Sequence, residues 1–117
     1  GSAARLAGDP RGARHYYEVA RRRFPGTDAA AVAAYHLGRM AFDGAHAWAE
    51  AERWFGVYLA ESPGGALAPE ALGRSMECAD NRGDHARARD LAKRYLAAYP
   101  SGAQASLAER LSADETP

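Results

Sequence analysis

Three times along this chain a glycine-led turn opens a helical stretch that a proline closes. The phrases run Gly8-Asp9 to Phe24-Pro25, Gly44-Ala45 to Ser62-Pro63, and Gly83-Asp84 to Tyr99-Pro100. The glycines recur after 36 and then 39 residues, the prolines after 38 and then 37. A period of that size belongs to stacked supersecondary units, none of which can bury its apolar face alone. Alanine, the best helix former, is abundant, and β-branched residues are few. The expected fold class is therefore all-α: antiparallel helix pairs stacked as a right-handed α-solenoid of about six helices.

The helices are expected over roughly 10–23, 28–42, 46–61, 67–82, 84–98 and 102–112. Asp9 caps the first, with Pro10 at the first helical position, where its missing N–H costs nothing. Thr27 or Asp28 caps the second, Asp84 the fifth, and Ser101 opens the last. The second helix lines up Ala30, Ala33, Ala34, Leu37, Gly38 and Ala41, a face small enough for close approach. The third carries the heaviest stripe, Trp48, Ala51, Phe55, Tyr58 and Leu59. Leu37, Phe55, Leu91 and Tyr95 sit at stripe centres and are expected to be buried. With 117 residues the chain makes one domain. Residues 1–2 read as the scar of a removed tag, 3–113 as the domain, and 114–117 as a flexible tail.

Net charge is zero but uneven: residues 1–25 balance at +4 and the remainder at −4. A zero total speaks against a dedicated nucleic-acid binder. Cys78 is the single cysteine, so no internal disulfide forms. No apolar run approaches the length of a membrane span, so this segment is not expected to insert into a bilayer. Lys93 is the only lysine, and with so much arginine, alanine and glycine the composition suggests a GC-rich bacterial genome.

Aligned units repeat in detail. Leu37-Gly38-Arg39 matches Leu72-Gly73-Arg74, and Tyr58-Leu59-Ala60-Glu61-Ser62-Pro63 matches Tyr95-Leu96-Ala97-Ala98-Tyr99-Pro100. A Leu-Gly in one helix, small residues in the next and a terminal proline resemble the tetratricopeptide repeat over roughly residues 8–113. On that resemblance 3–25 is a partial repeat, 29–63 and 66–100 are complete ones, and 102–112 is a closing helix. Two departures stand out. Trp48 starts a second helix rather than sitting in a first, and the middle unit carries two extra residues around His46-Ala47. The endings, Tyr-Leu-Ala-x-x-Pro followed by Gly and Ala, are similar to bacterial envelope members. These include outer-membrane assembly lipoproteins, the Tol–Pal coordinator and the tails of FecR-type signalling proteins. The resemblance implies a non-catalytic protein–protein interaction module within a larger bacterial protein, with the periplasm or envelope favoured over the cytoplasm.

It also implies a concave groove lined by Val32, Tyr35, Arg39, Phe42 and Asp43, with Leu67, Glu70, Arg74, Glu77 and Cys78 from the next repeat. Arg39 and Arg74 stand one repeat apart. They either clamp a carboxylate-bearing peptide or pair with neighbouring acids. Tyr35 and Phe42 are either ligand anchors or packing between repeats. The run Arg21-Arg22-Arg23 fans around a helix end, where cations offset the macrodipole. The four histidines have no ligand-spaced partners and Cys78 no neighbouring base, so neither a metal site, a cofactor nor an enzyme is expected. A protein or peptide partner is expected instead. The rival reading is a structural spacer or self-association element, and Tyr16, Tyr17 and Val19 on the first helix suggest a homodimer through that end.

Overall fold

A computed structural model describes residues 9–113. The expected tag scar at 1–2, the first residues (3–8) of the partial repeat and the tail at 114–117 lie outside them. The described residues form six α-helices and no strand: α1 Pro10–Arg23, α2 Asp28–Met40, α3 Trp48–Glu61, α4 Ala68–Asn81, α5 His85–Ala98 and α6 Ala105–Ala113. A π-helical turn, Ala41–Ala45, continues α2. Each helix packs chiefly on its neighbours in the chain, from the α1–α2 pair to the α5–α6 pair. The resulting body measures 51 × 27 × 21 Å.

Helices α1, α3 and α5 are the same device written three times. Each has 14 residues and ends in a non-helical residue, Phe24, Ser62 or Tyr99, whose N–H bonds four residues back. A proline follows each, and its ring clashes with a helical conformation in the residue before it. At the front, the Asp9 and Asp84 carboxylates accept from the backbone N–H of Gly12 and Arg87, both at 3.1 Å. Ala47 holds that place in α3 and has no side chain to cap with.

The middle unit shifts the register that the glycines suggest. The residue before Asp84 is Gly83, at φ 80°, but the residue before Ala47 is His46, at φ 50°, not Gly44. The extra residues around His46-Ala47 follow the π-helical turn as the link into α3, which begins at Trp48 rather than at the expected residue 46. Left-handed backbone is disfavoured for a residue with a Cβ, though histidine tolerates it better than most. The His46 ring stacks on Trp48, 5.1 Å between centroids.

The core falls into two clusters that meet on α4. Ala31, Tyr35, Ala41, Ala51, Phe55, Tyr58, Ala68, Ala71 and Cys78 make the first, and Leu72, Met76, Ala79, Ala88, Leu91, Ala92, Tyr95 and Ala108 the second. Leu37, Phe55, Leu91 and Tyr95 are all buried, as the stripes require. The Leu-Gly pairs permit close approach: a Cβ on Gly38 would lie 2.8 Å from the Phe55 ring, and one on Gly73 would lie 2.8 Å from Cγ of Gln104.

Two tyrosines tie consecutive units together. The buried Tyr58 hydroxyl accepts from the backbone N–H of Leu67 at 3.0 Å, and Tyr95 accepts from Gln104 at 2.9 Å. Both bonds span nine residues and land where the next helix begins. The hydroxyls press on Gly65 and Gly102, where any Cβ would fall within 2.3 Å of them. This turn displaces the start of α6 from the expected Ser101–Gly102 to Ala105. At the first junction an arginine takes over. Arg21 donates to the Ala30 carbonyl at 2.8 Å, grips the Glu61 carboxylate at 3.0 and 2.8 Å, and lies 5.7 Å over the Trp54 ring. The arginine run is thus not uniform: Arg22 and Arg23 are exposed, whereas Arg21 joins three helices.

Two glycine substitutions should have opposite signs. Gly38→Ala forces the Phe55 ring to move and should cost about 1–3 kcal/mol, as overpacking does. Gly56→Ala, in mid-helix with nothing within 4 Å of the new methyl, should stabilise by up to about 1 kcal/mol through helix propensity. Urea denaturation of the two variants beside the wild type measures both. The same sign for both would mean that the close approach of α3 to α2 is wrong.

Candidate functional site

The face carried by α2, α4 and the start of α6 is a chain of alternating charges. Arg39 donates from Nε to Asp43 at 3.0 Å, one helical turn on along α2 and its π-helical extension. Arg74 of α4 reaches the other Asp43 oxygen at 3.7 Å and Glu70 at 3.7 Å. Its guanidinium lies 4.9 Å over the ring of Phe42. One carboxylate therefore bridges both repeat-related arginines. Of the two readings open for Arg39 and Arg74, pairing with neighbouring acids is the one the structure shows.

Tyr35 does not line an open surface. Its ring is 2 % exposed and packs on Phe55 and Tyr58, at 5.5 and 5.9 Å between centroids. The hydroxyl faces Glu70 and Arg39 but meets neither in hydrogen-bond geometry. Burial pushes the phenol above its ordinary pKa, Glu70 adds to the rise and Arg39 opposes it. Of the two readings open for Tyr35 the packing one holds. Phe42 is half-buried between Trp48, at 5.1 Å, and the Arg74 guanidinium, and it remains reachable from solvent. Val32 is half-buried against the first core cluster.

Cys78 is fully buried, and the low polarity around it pushes its thiol up to about 12, with Glu52 and Glu77 adding to the rise. A thiol so protonated and enclosed is neither a nucleophile nor a groove residue. Leu67 is half-buried, and its backbone N–H is spent on Tyr58. Glu77 is half-buried and accepts from the Gln104 side chain. Burial raises the Glu77 carboxyl pKa above the usual carboxylate range, and Arg74 and Gln104 only partly offset this.

Between the first turns of α4 and α6 lies a cleft of about 350 Å³ lined by Ala66, Pro69, Glu70, Arg74, Tyr95, Ala103 and Gln104. It offers an apolar wall, one cation, one carboxylate and one amide, a set suited to a polypeptide's side chains and backbone. Gln104 was not among the residues expected here. Extending the Tyr58/Tyr95 alignment through the prolines pairs Leu67 with Gln104, and that pairing is the signal for it. Among the described residues no three His, Cys, Asp or Glu side chains gather as a metal ion would need, and no helix is long and apolar enough to cross a membrane. No protein-family model, no curated protein and no solved structure matches this chain.

Glu77 gives a pH-dependent test. Its folded pKa lies above the unfolded one, so the folded state holds the proton more firmly. Charging the group costs stability as pH rises through that interval. Glu77→Gln keeps the shape without the charge. It should raise the melting temperature at pH 7 by a few degrees, and the gain should vanish below the ordinary carboxyl range near pH ~4. A gain that persists unchanged at pH 3 would mean that burial of the charge is not its cause.

Proposed function

We propose that this chain is a non-catalytic protein–protein interaction module of the tetratricopeptide type. In this reading its helix pairs stack as a right-handed α-solenoid, and it serves a larger bacterial protein of envelope assembly or signalling. The observation that carries the reading is the cleft between α4 and α6 beside the Phe42–Arg74 stack. There, reachable hydrogen-bonding groups border an apolar wall on the face that the family resemblance assigns to ligands. The repeated tyrosine-to-amide ties support the repeat assignment, since they recur 37 residues apart with the same nine-residue span. An extended peptide would lay its backbone along Gln104 and Glu70 and place an acidic group near Arg74, in competition with Asp43.

A second reading, a structural spacer, draws on that same Asp43. A face whose arginines are already paired within the chain needs no outside ligand. Panning a phage-displayed peptide library against the protein separates the two. The interaction module should enrich a consensus whose synthetic peptide loses about tenfold or more in affinity to Arg74→Ala, a loss of roughly 1.4 kcal/mol. Circular dichroism of that variant should stay as in the wild type. No enrichment, or binding indifferent to Arg74 and Gln104, leaves the spacer.

A further inference from the structure

We propose that a second cleft, between α3 and α5, binds a singly charged carboxylate on a short apolar stem. It shares no lining residue with the α4–α6 cleft and holds about 290 Å³. Gly56, Leu59 and Ala60 of α3 line one side, and Leu91 and Arg94 of α5 the other. Helix α4 packs on both and contributes Ser75. Glu52 and Arg87 complete the lining, the Glu52 carboxylate accepting from Nε of Arg87 at 2.9 Å. The corresponding positions of α1 and α3 show what is particular here. Counted from Asp9, Ala47 and Asp84, Arg14 and Glu50 stand where Glu52 and Arg87 stand. They too pair across the helices, at 3.4 Å and with the charges exchanged. Beyond that pair the two levels differ. Trp54 holds the place of Leu91 and is half-buried under the Arg21 guanidinium. Glu18 holds the place of Gly56, Val57 that of Arg94 and, in the Leu-Gly register, Met40 that of Ser75. At the α3–α5 cleft, therefore, three side chains are smaller and an arginine replaces a valine.

Two polar groups of this cleft are unanswered. Ser75 is 2 % exposed and its hydroxyl has no hydrogen-bond partner among the described residues, a state uncommon for a buried polar atom. Arg94 is exposed, two helical turns beyond Arg87, and forms no ion pair among the described residues. Elsewhere around the cleft the charges balance, with Glu52 and Asp84 set against Arg82 and Arg87. One cation remains. It calls for a single negative charge, and the guanidinium fork suits a carboxylate. Leu59, Leu91 and the bare backbone at Gly56, where a Cβ would meet nothing within 4 Å, suit a hydrocarbon stem. The volume lies at the small end of the roughly 300–1,000 Å³ of ligand clefts, so the stem must be short. A small free acid and the carboxyl end of a polypeptide both present this group.

The test titrates isotope-labelled protein with hexanoate, hexanol and hexylammonium and follows the backbone amides by NMR. Hexanoate should shift the amides of Gly56, Ser75 and Arg94 saturably, with a Kd on the order of 1 mM. The alcohol and the ammonium ion should not. Arg94→Gln should weaken hexanoate about tenfold and Ser75→Ala about fivefold, through loss of a charged and a neutral hydrogen bond. Gly56→Leu fills the cleft from an open position and should abolish the shifts. Gly56 and Arg94 are exposed, so those two variants should keep the wild-type circular dichroism. A pentapeptide ending in leucine, with its carboxyl free or amidated, distinguishes the two sources. Tighter binding than hexanoate by the free form alone assigns the site to a polypeptide end, and weaker binding by that form assigns it to a small acid. No saturable shift with hexanoate, equal shifts with hexanol, or indifference to Arg94→Gln and Gly56→Leu would overturn the proposal. So would shifts scattered over the exposed arginines instead of confined to the cleft.

Discussion

The hydroxyl of a buried tyrosine meeting the first backbone N–H of the next helix is the constraint on which the arrangement of units depends. A helix start leaves amide donors without intrahelical partners. At α4 no side-chain cap supplies the acceptor and Tyr58 supplies it from the helix before; Tyr95 does the same for Gln104, just ahead of α6. Each bond is worth only about 1 kcal/mol net, but its geometry is narrow. A ring locked in the core fixes where its hydroxyl lies, and the hydroxyl then fixes where the next helix begins. Gly65 and Gly102 are the corollary, because a methyl at either would occupy the space of the hydroxyl. Through Tyr95, Gln104 is set beside Glu77 and the cleft beside Arg74 comes into being.

The charged face has a different physical character. Its pairs are largely solvent-exposed, and such pairs contribute little to stability, about 0–1 kcal/mol each. Their consequence is positional: Asp43 holds Arg39 and Arg74 toward one another, with the Arg74 guanidinium over the Phe42 ring. A ligand carboxylate would exchange one ion pair for another, so affinity there must come from the apolar wall and from Gln104 rather than from net charge. Glu77, half-buried with its pKa raised, adds a group whose charge is unfavourable in the fold.

Helix existence was legible because alanine content, prolines and capping aspartates all act locally. The errors sit where local rules compete with tertiary ones. The glycine phrase suggested Gly44 as the counterpart of Gly83, but the π-helical turn passes the left-handed position to His46. Ser101 is a good cap by type, yet the Tyr95 hydroxyl moves the start of α6 onward to Ala105. Arg21 is indistinguishable in sequence from Arg22 and Arg23. Only the approach of Glu61 and Trp54, some 33 to 40 residues away, singles it out. At the site, the spacing of Arg39 and Arg74 was readable. The burial of Tyr35 was not, because helical periodicity does not reveal which of two neighbouring helices covers a side chain.

The most direct measurement is amide hydrogen exchange at Leu67 and Gln104 by NMR, in the wild type, Tyr58→Phe and Tyr95→Phe. Each variant removes one hydroxyl and keeps its ring. Tyr58→Phe should speed exchange at Leu67 by about tenfold, the equivalent of roughly 1.4 kcal/mol, and leave Gln104 unchanged. Tyr95→Phe should do the reverse. Exchange unaltered at both amides, or raised equally at both by either variant, would contradict the claim that each tyrosine sets the start of its own following helix.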